Sequence, residues 1–259
     1  MNALEYRADL YDVIHGRRSH DIQWYLELCR RAGGRVLELG AGTGRTVLPV
    51  ARAGIEIDAL DIAEEMRLYL TEKLQREPEH VRKKVRILAG DMTSFSLPDH
   101  YRLIQIPFRS FLHNTGPEAQ LACLRQCHAH LEPGGLLAFD VFLPSEDYMS
   151  AFEGDYEGLF RTDAPYPLPD GGFLLLSEWN DYDRQAQTVR AVHRYELLAR
   201  SGGIDQSLYQ ILDLAFLYPH DLQRLLTAAG FTDITLLSDF TDQPVGPETR
   251  DVAVMARRP

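Results

Sequence analysis

The sequence predicts an α/β chain: a doubly wound, mostly parallel seven-stranded sheet with helices on both faces, interrupted by an inserted antiparallel β meander. Three observations carry this expectation. Between residues 35 and 142, short β-rich runs that are apolar on both faces alternate with longer helical stretches, the pattern of a parallel sheet covered on each side. After residue 142 the period changes, and three β-rich runs follow one another without helices between them. Two last β-rich runs come after a further helix, so the sheet closes only once the insertion is complete.

Taken in order, residues 4–32 read as helices that precede the sheet. RVLELG (35–40) is the first strand, followed by a helix to Ala53; IEIDALD (55–61) is the second, followed by a helix over 63–76. KVRILAGD (84–91) and YRLIQIPF (101–108) are the next two, and a helix over 117–131 leads to GLLAFDVF (135–142). Glu132-Pro133-Gly134-Gly135 reads as a helix stop and turn. Residues 158–169 are loop-like. Runs over 173–182, 188–198 and 207–217, separated by DRQAQ and SGG, form a three-stranded meander. A helix over 219–229 stops at Gly230, and TDITLLS (232–238) and DVAVMAR (251–257) are the closing strands. The chain thus divides into a helical lid (1–34), a core (35–142), an insertion (143–218) and a closing unit (219–259), all within one domain.

The 259 residues carry 38 acidic and 27 basic side chains, a net charge of −11, and 45% are hydrophobic. That excludes a disordered or collagen-like chain. The acidic balance disfavours nucleic acid and anionic membranes, leaving small molecules as the expected partners. Three cysteines (Cys29, Cys123, Cys127) do not make a secreted disulfide framework, and the start MNALEYRADLYD lacks the apolar stretch of a signal peptide, so a cytoplasmic location is expected. No apolar run reaches the roughly 20 residues of a membrane span. Cys123 and Cys127 share a helical face but have no further ligand in motif spacing. They read as packing, and no metal is expected.

The chemistry concentrates in Val36-Leu37-Glu38-Leu39-Gly40-Ala41-Gly42-Thr43-Gly44-Arg45, which follows a buried strand and opens a helix. Alternate glycines let the backbone turn tightly and approach a ligand. A nicotinamide-dinucleotide fingerprint requires glycine at position 45, where this chain has arginine. Glu38 at the strand end would repel a diphosphate and welcome a cationic amine. Asp61 ends the second strand, 23 residues later (61 − 38), where a carboxylate can hold ribose hydroxyls; Asp91 follows the third. A ligand with a ribose, a base and a positively charged tail suits the three acids. A plain strand-to-helix turn is the alternative for GAGTG, and a helix cap the alternative for Asp61.

These residues resemble the class I S-adenosylmethionine-dependent methyltransferases, whose motifs look like VLELGAGTGR, LDIAEEM, GDM and LEPGG, and the likeness runs over about residues 6–259. Its fold is Rossmann-like. The segments YDVIHGRRSHDI and IPFRSFLH look like small-molecule N-methyltransferases, including those acting on amino sugars. The resemblance implies that Glu38 meets the methionine ammonium, Gly40, Ala41, Gly42 and Gly44 the methionine and ribose, Asp61 the ribose, Ile62 and Met66 the adenine, and Asp91 with Met92 the adenine amine and face.

In an open parallel sheet, ligands gather where the strand order reverses, so the stretch from Pro107 to His113 faces the transferred methyl. Phe108 closes the cofactor side, and Arg109 and His113 meet the acceptor. The stretch lacks the polar-Pro-Pro order of many base and glutamine methyltransferases. His113 matches by position the histidine of amino-sugar N-methyltransferases and is the candidate proton acceptor; a core or helix-start histidine is the alternative. Tyr11 in the lid is a candidate catalytic and cofactor residue through attraction of its ring to the sulfonium, with packing as its alternative. His15, Arg17, Arg18 and His20 form either a solvated basic face or a guide for an anionic acceptor.

The expected activity is transfer of a methyl from S-adenosylmethionine to a small-molecule acceptor, at an amine nitrogen in preference to oxygen or carbon. A nicotinamide-dependent oxidoreductase and a non-catalytic binding protein are the competing readings. The meander is expected to shape the acceptor pocket without supplying an acid or base, and its exposed edge suits a homodimer.

Overall fold

A computed structural model describes residues 7–16, 19–152, 161–163 and 165–259. The chain enters through α1 (Ala8–His15) and α2 (Ile22–Ala32), both amphipathic: α1 buries Leu10 and Ile14, and α2 buries Tyr25, Leu26 and Cys29. The alternating core follows as β1 (Val36–Leu39), α3 (Val47–Arg52), β2 (Ile57–Asp61), α4 (Glu64–Gln75), the single-turn α5 (Glu79–Arg82), β3 (Val85–Ala89) and β4 (Tyr101–Ile106). A 3-10 turn (Ser110–His113), α6 (Pro117–His130) and β5 (Leu131–Phe142) complete it.

Beyond β5 come α7 (Glu146–Ser150), two dipeptide strands β6 (Arg161–Thr162) and β7 (Tyr166–Pro167), and three long strands, β8 (Phe173–Asp183), β9 (Thr188–Leu198) and β10 (Ile204–Ala215). The chain closes with α8 (Pro219–Ala228), β11 (Thr232–Ser238) and β12 (Asp251–Arg257).

The main sheet has seven strands in the order β11-β12-β5-β4-β1-β2-β3, with β12 antiparallel to both neighbours and β1 to β5 paired in parallel. Every residue of β1 and β2 is buried, which explains their lack of polar alternation. Helices cover both faces: Cys123, Leu124, Leu222 and Leu226 pack on one, and Tyr25, Leu26, Val47 and Val50 on the other. After β3 the chain crosses to pair β4 with β1, so a crevice opens at the carboxyl ends of these two strands.

The expected turn at 132–135 lies inside β5. Tyr101 pairs with Leu131 and Leu103 with Leu136, so the intervening residues bulge out of register. Gly134, at φ 76°, makes the bulge possible, and its N–H donates to the Arg258 carbonyl at 2.8 Å. The meander is also larger than expected. It is a five-stranded antiparallel sheet ordered β10-β9-β8-β6, with β7 also on β8, because residues in the loop-like stretch pair with β8. Its third long strand begins at Ile204 rather than residue 207. Residues 158–160 and 164 of that stretch, and residues 1–6 and 17–18 of the expected lid, lie outside the described residues.

Helix α1 packs between β8 of the second sheet and α4 of the core. Leu10 and Ile14 pack on Leu174 and Leu176 of β8, while Ala8 and Tyr11 pack with Met66 and Tyr69 of α4. Among the described residues, no helix is long and apolar enough to cross a membrane.

Candidate active site

The glycine loop after β1 forms one wall of the crevice. Gly40, Gly42 and Gly44 take φ values of 67°, 54° and 81°, a left-handed backbone that side chains resist. Their roles differ. A Cβ on Gly40 would strike Ser110 and one on Gly44 would strike Leu70, whereas one on Gly42 would meet no heavy atom nearer than the Gly40 carbonyl at 4.0 Å. Gly40 and Gly44 are packing requirements; Gly42 borders open space.

Glu38 is 2% exposed, and its Oε2 accepts from Gln105 Nε2 at 2.7 Å. Burial pushes its carboxyl up to about 8, only partly offset by the Gln105 bond. Asp61 bridges two turns: Oδ2 accepts from the Gly42 N–H at 2.7 Å and Oδ1 from the Ala63 N–H at 2.8 Å. It therefore braces the glycine loop against the turn that leads into α4. Next to it Ile62 is 53% exposed, an apolar side chain set beside a polar crevice. Asp91 is bound to its own turn, accepting from Thr93 N at 2.8 Å and Thr93 Oγ1 at 2.7 Å. The Met92 sulfur accepts from Asn114 Nδ2 at 3.2 Å.

Helix α1 is pinned to this wall. Thr43 Oγ1 donates to Asp12 Oδ1 at 2.5 Å and Lys73 Nζ donates to Asp12 Oδ2 at 2.6 Å, tying α1 to the glycine loop and to α4. Arg45, at the position that a dinucleotide fingerprint gives to glycine, is buried and forms a two-bonded ion pair with Asp21, at 2.8 and 2.5 Å. Its guanidinium lies 4.2 Å from the centre of the Phe108 ring. Tyr11 meets Phe108 edge-on at 6.3 Å, and burial pushes its hydroxyl up to about 12, so it stays protonated.

The other wall is the loop after β4. Phe108 and Arg109 both have left-handed backbone, φ 56° and 63°. Arg109 is committed to an ion pair with Asp251 of β12, Nε to Oδ1 2.8 Å, and lies over the Phe142 ring. His113 ends the 3-10 turn, and burial pushes its imidazole down to about 4. It is neutral at physiological pH.

Comparison with known proteins decides what this crevice belongs to. A family profile described as a methyltransferase domain matches residues 36–135, the stretch that holds the glycine loop and all three acids. The chain is 29% identical over 191 residues to the cypemycin N-terminal methyltransferase of a Streptomyces species, covering 73% of this chain and 72% of that one. The structure of the CcbJ methyltransferase from Streptomyces caelestis superposes with a TM-score of 0.72 at 25% identity, covering 96% and 95% of the two chains. The chain carries a methyltransferase domain over residues 36–135. CalS10, an amino pentose methyltransferase from Micromonospora echinaspora solved with S-adenosylmethionine bound, shares the fold with a TM-score of 0.72 at 20% identity, covering 98% of each chain. The chain spans about half the length of several curated relatives; a methyltransferase of Staphylococcus carnosus is 30% identical over 125 residues, 47% of this chain and 54% of that protein.

Glu38, Gly40, Gly42, Asp61, Ile62 and Met92 gather around the crevice with Phe108 and Tyr11. Met66 does not join them as an open contact, because it is 4% exposed and packed between α1 and α4. Ala41 is 5% exposed and donates its N–H to the Leu60 carbonyl. The basic cluster separates: His15 packs on Tyr11 and Phe108, and His20 on Phe240. Arg17 and Arg18 lie outside the described residues. Sequence reasoning missed Gln105, Asp12 and Asp140. Gln105 and Asp140 left a signal, a single polar residue inside an otherwise apolar run (LIQIPF, LLAFDVF), which a buried strand tolerates only where that residue is bonded.

Proposed function

We propose that this methyltransferase moves a methyl group from S-adenosylmethionine to the amine nitrogen of a small, amino-sugar-like acceptor. The observation that carries the reading is Glu38: a buried carboxylate at the open glycine loop, raised to about 8 by burial, which a methionine ammonium would pair and satisfy. The crevice fits that cofactor in three further respects. Gly42 borders open space, the Gly42 N–H is braced by Asp61, and Ile62 offers an apolar face. Asp61 keeps lone pairs for ribose hydroxyls, and Met92 lies against the same loop. When bound, the cofactor supplies an electrophilic methyl on a positively charged sulfur.

The chain's own residues do the rest. Tyr11 and Phe108 place ring edges and faces over the crevice and exclude water, and α1 holds them there through Asp12. His113, kept neutral by burial, accepts an N–H of the acceptor amine and receives the proton released when the C–N bond forms. Amine acceptors are favoured because the similar cypemycin enzyme is named for an N-terminus and the similarly folded CalS10 for an amino pentose. Two copies would pair along the open edge of β10, where Tyr209 and Ile211 are 62% and 52% exposed.

The test is calorimetry with S-adenosylhomocysteine and NADH, followed by methyl transfer to glucosamine, galactosamine and a short peptide with a free N-terminus. Binding of S-adenosylhomocysteine alone, with turnover on an amine, is expected. NADH binding, or transfer only to hydroxyl acceptors, would sink the reading.

A further inference from the structure

Phe108 and Arg109 are consecutive non-glycine residues in left-handed backbone, a conformation in which Cβ crowds the carbonyl oxygen. Contacts outside the loop must hold it. Asp140, in the middle of β5, makes them: its Oδ1 accepts from the Phe108 N–H at 2.7 Å and its Oδ2 from the Arg109 N–H at 2.9 Å. The Tyr25 hydroxyl of α2 donates to Oδ1 at 2.6 Å. Asp140 is 2% exposed, and both its neighbours in β5, Phe139 and Val141, are fully buried. A carboxylate in that place is costly to bury, and two of its bonds go to the loop after β4, beside α1 and the crevice. Charge-assisted bonds to two successive N–H groups fix direction as well as distance.

We propose that Asp140 is a positioning residue, holding the Phe108–Arg109 backbone left-handed so that the Phe108 ring stays against Tyr11 and His15 while Arg109 turns away to Asp251. It acts through Phe108, whose ring lies 5.1 Å from His15 and 4.2 Å from the Arg45 guanidinium. If the loop relaxed to ordinary backbone, the directions of both side chains would change, and the ring that closes the crevice would leave it. Alignment of acceptor and methyl would suffer more than cofactor affinity, since Glu38 and the glycine loop lie on the other wall. The catalytic consequence rests on the methyl-transfer reading above; the backbone hold does not.

The experiment compares the parent with Asp140→Asn in the full chain. Amide hydrogen exchange at Phe108 and Arg109 should accelerate roughly tenfold or more, with Leu37 and Leu103 in the core strands unchanged. Turnover with S-adenosylmethionine on whichever of glucosamine, galactosamine or a peptide amine the parent methylates should fall by about 10- to 100-fold, and S-adenosylhomocysteine affinity should stay within about threefold. Should Asp140→Asn fail to fold, Tyr25→Phe, which removes one donor to the carboxylate, is expected to accelerate the same two amides about threefold. Unchanged loop amides, or acceleration spread equally over the core strands, would overturn the hold. Accelerated loop amides with undiminished turnover would overturn the positioning role. A parent that binds no S-adenosylhomocysteine and methylates no amine overturns the methyl-transfer reading and with it the catalytic consequence, while the exchange result still decides the hold.

Discussion

The two walls of the crevice are built by different means. On the β1–β2 wall the working groups are close in sequence and depend on main chain: Gly42 and Asp61 are 19 residues apart, and the glycine backbone sets the shape. On the β4–β5 wall the shape depends on side chains that meet across the fold. Asp140 reaches Phe108 over 32 residues and Tyr25 over 115, and Arg109 reaches Asp251 over 142. A wall made of backbone keeps one ligand, while a wall made of side-chain pairings can be rebuilt for another. The proposed cofactor lies on the first and the proposed acceptor on the second.

The sharpest way to break this comparison is Gly42→Leu. Its side chain would enter the open space beside the loop, so binding of S-adenosylhomocysteine should be lost to calorimetry while the fold persists, at a cost of about 1–2 kcal/mol for left-handed backbone. Gly44→Ala should do the reverse, lowering the melting temperature through its clash with Leu70. If Gly42→Leu binds normally, the glycine loop is not the cofactor wall.

His113→Asn tests the other wall. Turnover should drop by roughly 10²- to 10⁴-fold with cofactor affinity little changed, because help with the proton acts in the reaction step. The deficit should shrink at high pH, where the amine is already free. Equal pH profiles, or a fall in melting temperature matching the lost activity, would make His113 a packing residue.

Asp61→Ala should weaken S-adenosylhomocysteine binding by about 1–3 kcal/mol, the scale of hydrogen bonds to a charged group. The same change frees the Gly42 N–H and the Ala63 N–H in the turn before α4, so some loss of thermal stability is expected as well. Calorimetry at parent affinity would leave Asp61 as a brace alone.

The smallest effect is a pH dependence of stability. Glu38 titrates near 8 in the folded protein against 4.5 ordinarily, so between those values the folded state binds the extra proton and stability falls as pH rises. Glu38→Gln should flatten that decline without ligand, by a few degrees in melting temperature between pH 5 and 8. Parallel melting-temperature profiles for the parent and Glu38→Gln would contradict the raised carboxyl of buried Glu38.

The parallel core could be read from the chain because strands buried on both faces are mostly apolar with no polar alternation, as in VLEL and LIQI, and because acids at or near their ends, Glu38 and Asp61, interrupt those runs visibly. The dipeptide strands β6 and β7 could not. Two residues carry no periodicity, and their pairing is imposed by β8. The turn expected at Glu132-Pro133-Gly134-Gly135 has turn chemistry, yet bonds between Gly134 and the chain's end draw it into β5 as a bulge. Met66 follows the motif spacing of a cofactor contact, but its burial depends on where α1 docks.

The sequence by itself determined the βαβ order, the glycine loop and the acids at the strand ends, since each follows from local periodicity or from backbone freedom at single positions. Only the tertiary structure decided that Arg45 pairs with Asp21, that Arg109 is spent on Asp251, and that Asp140 holds the loop facing the lid. Those are meetings of charges and donors brought together by chain crossing, and no local preference encodes which buried carboxylate will find which N–H.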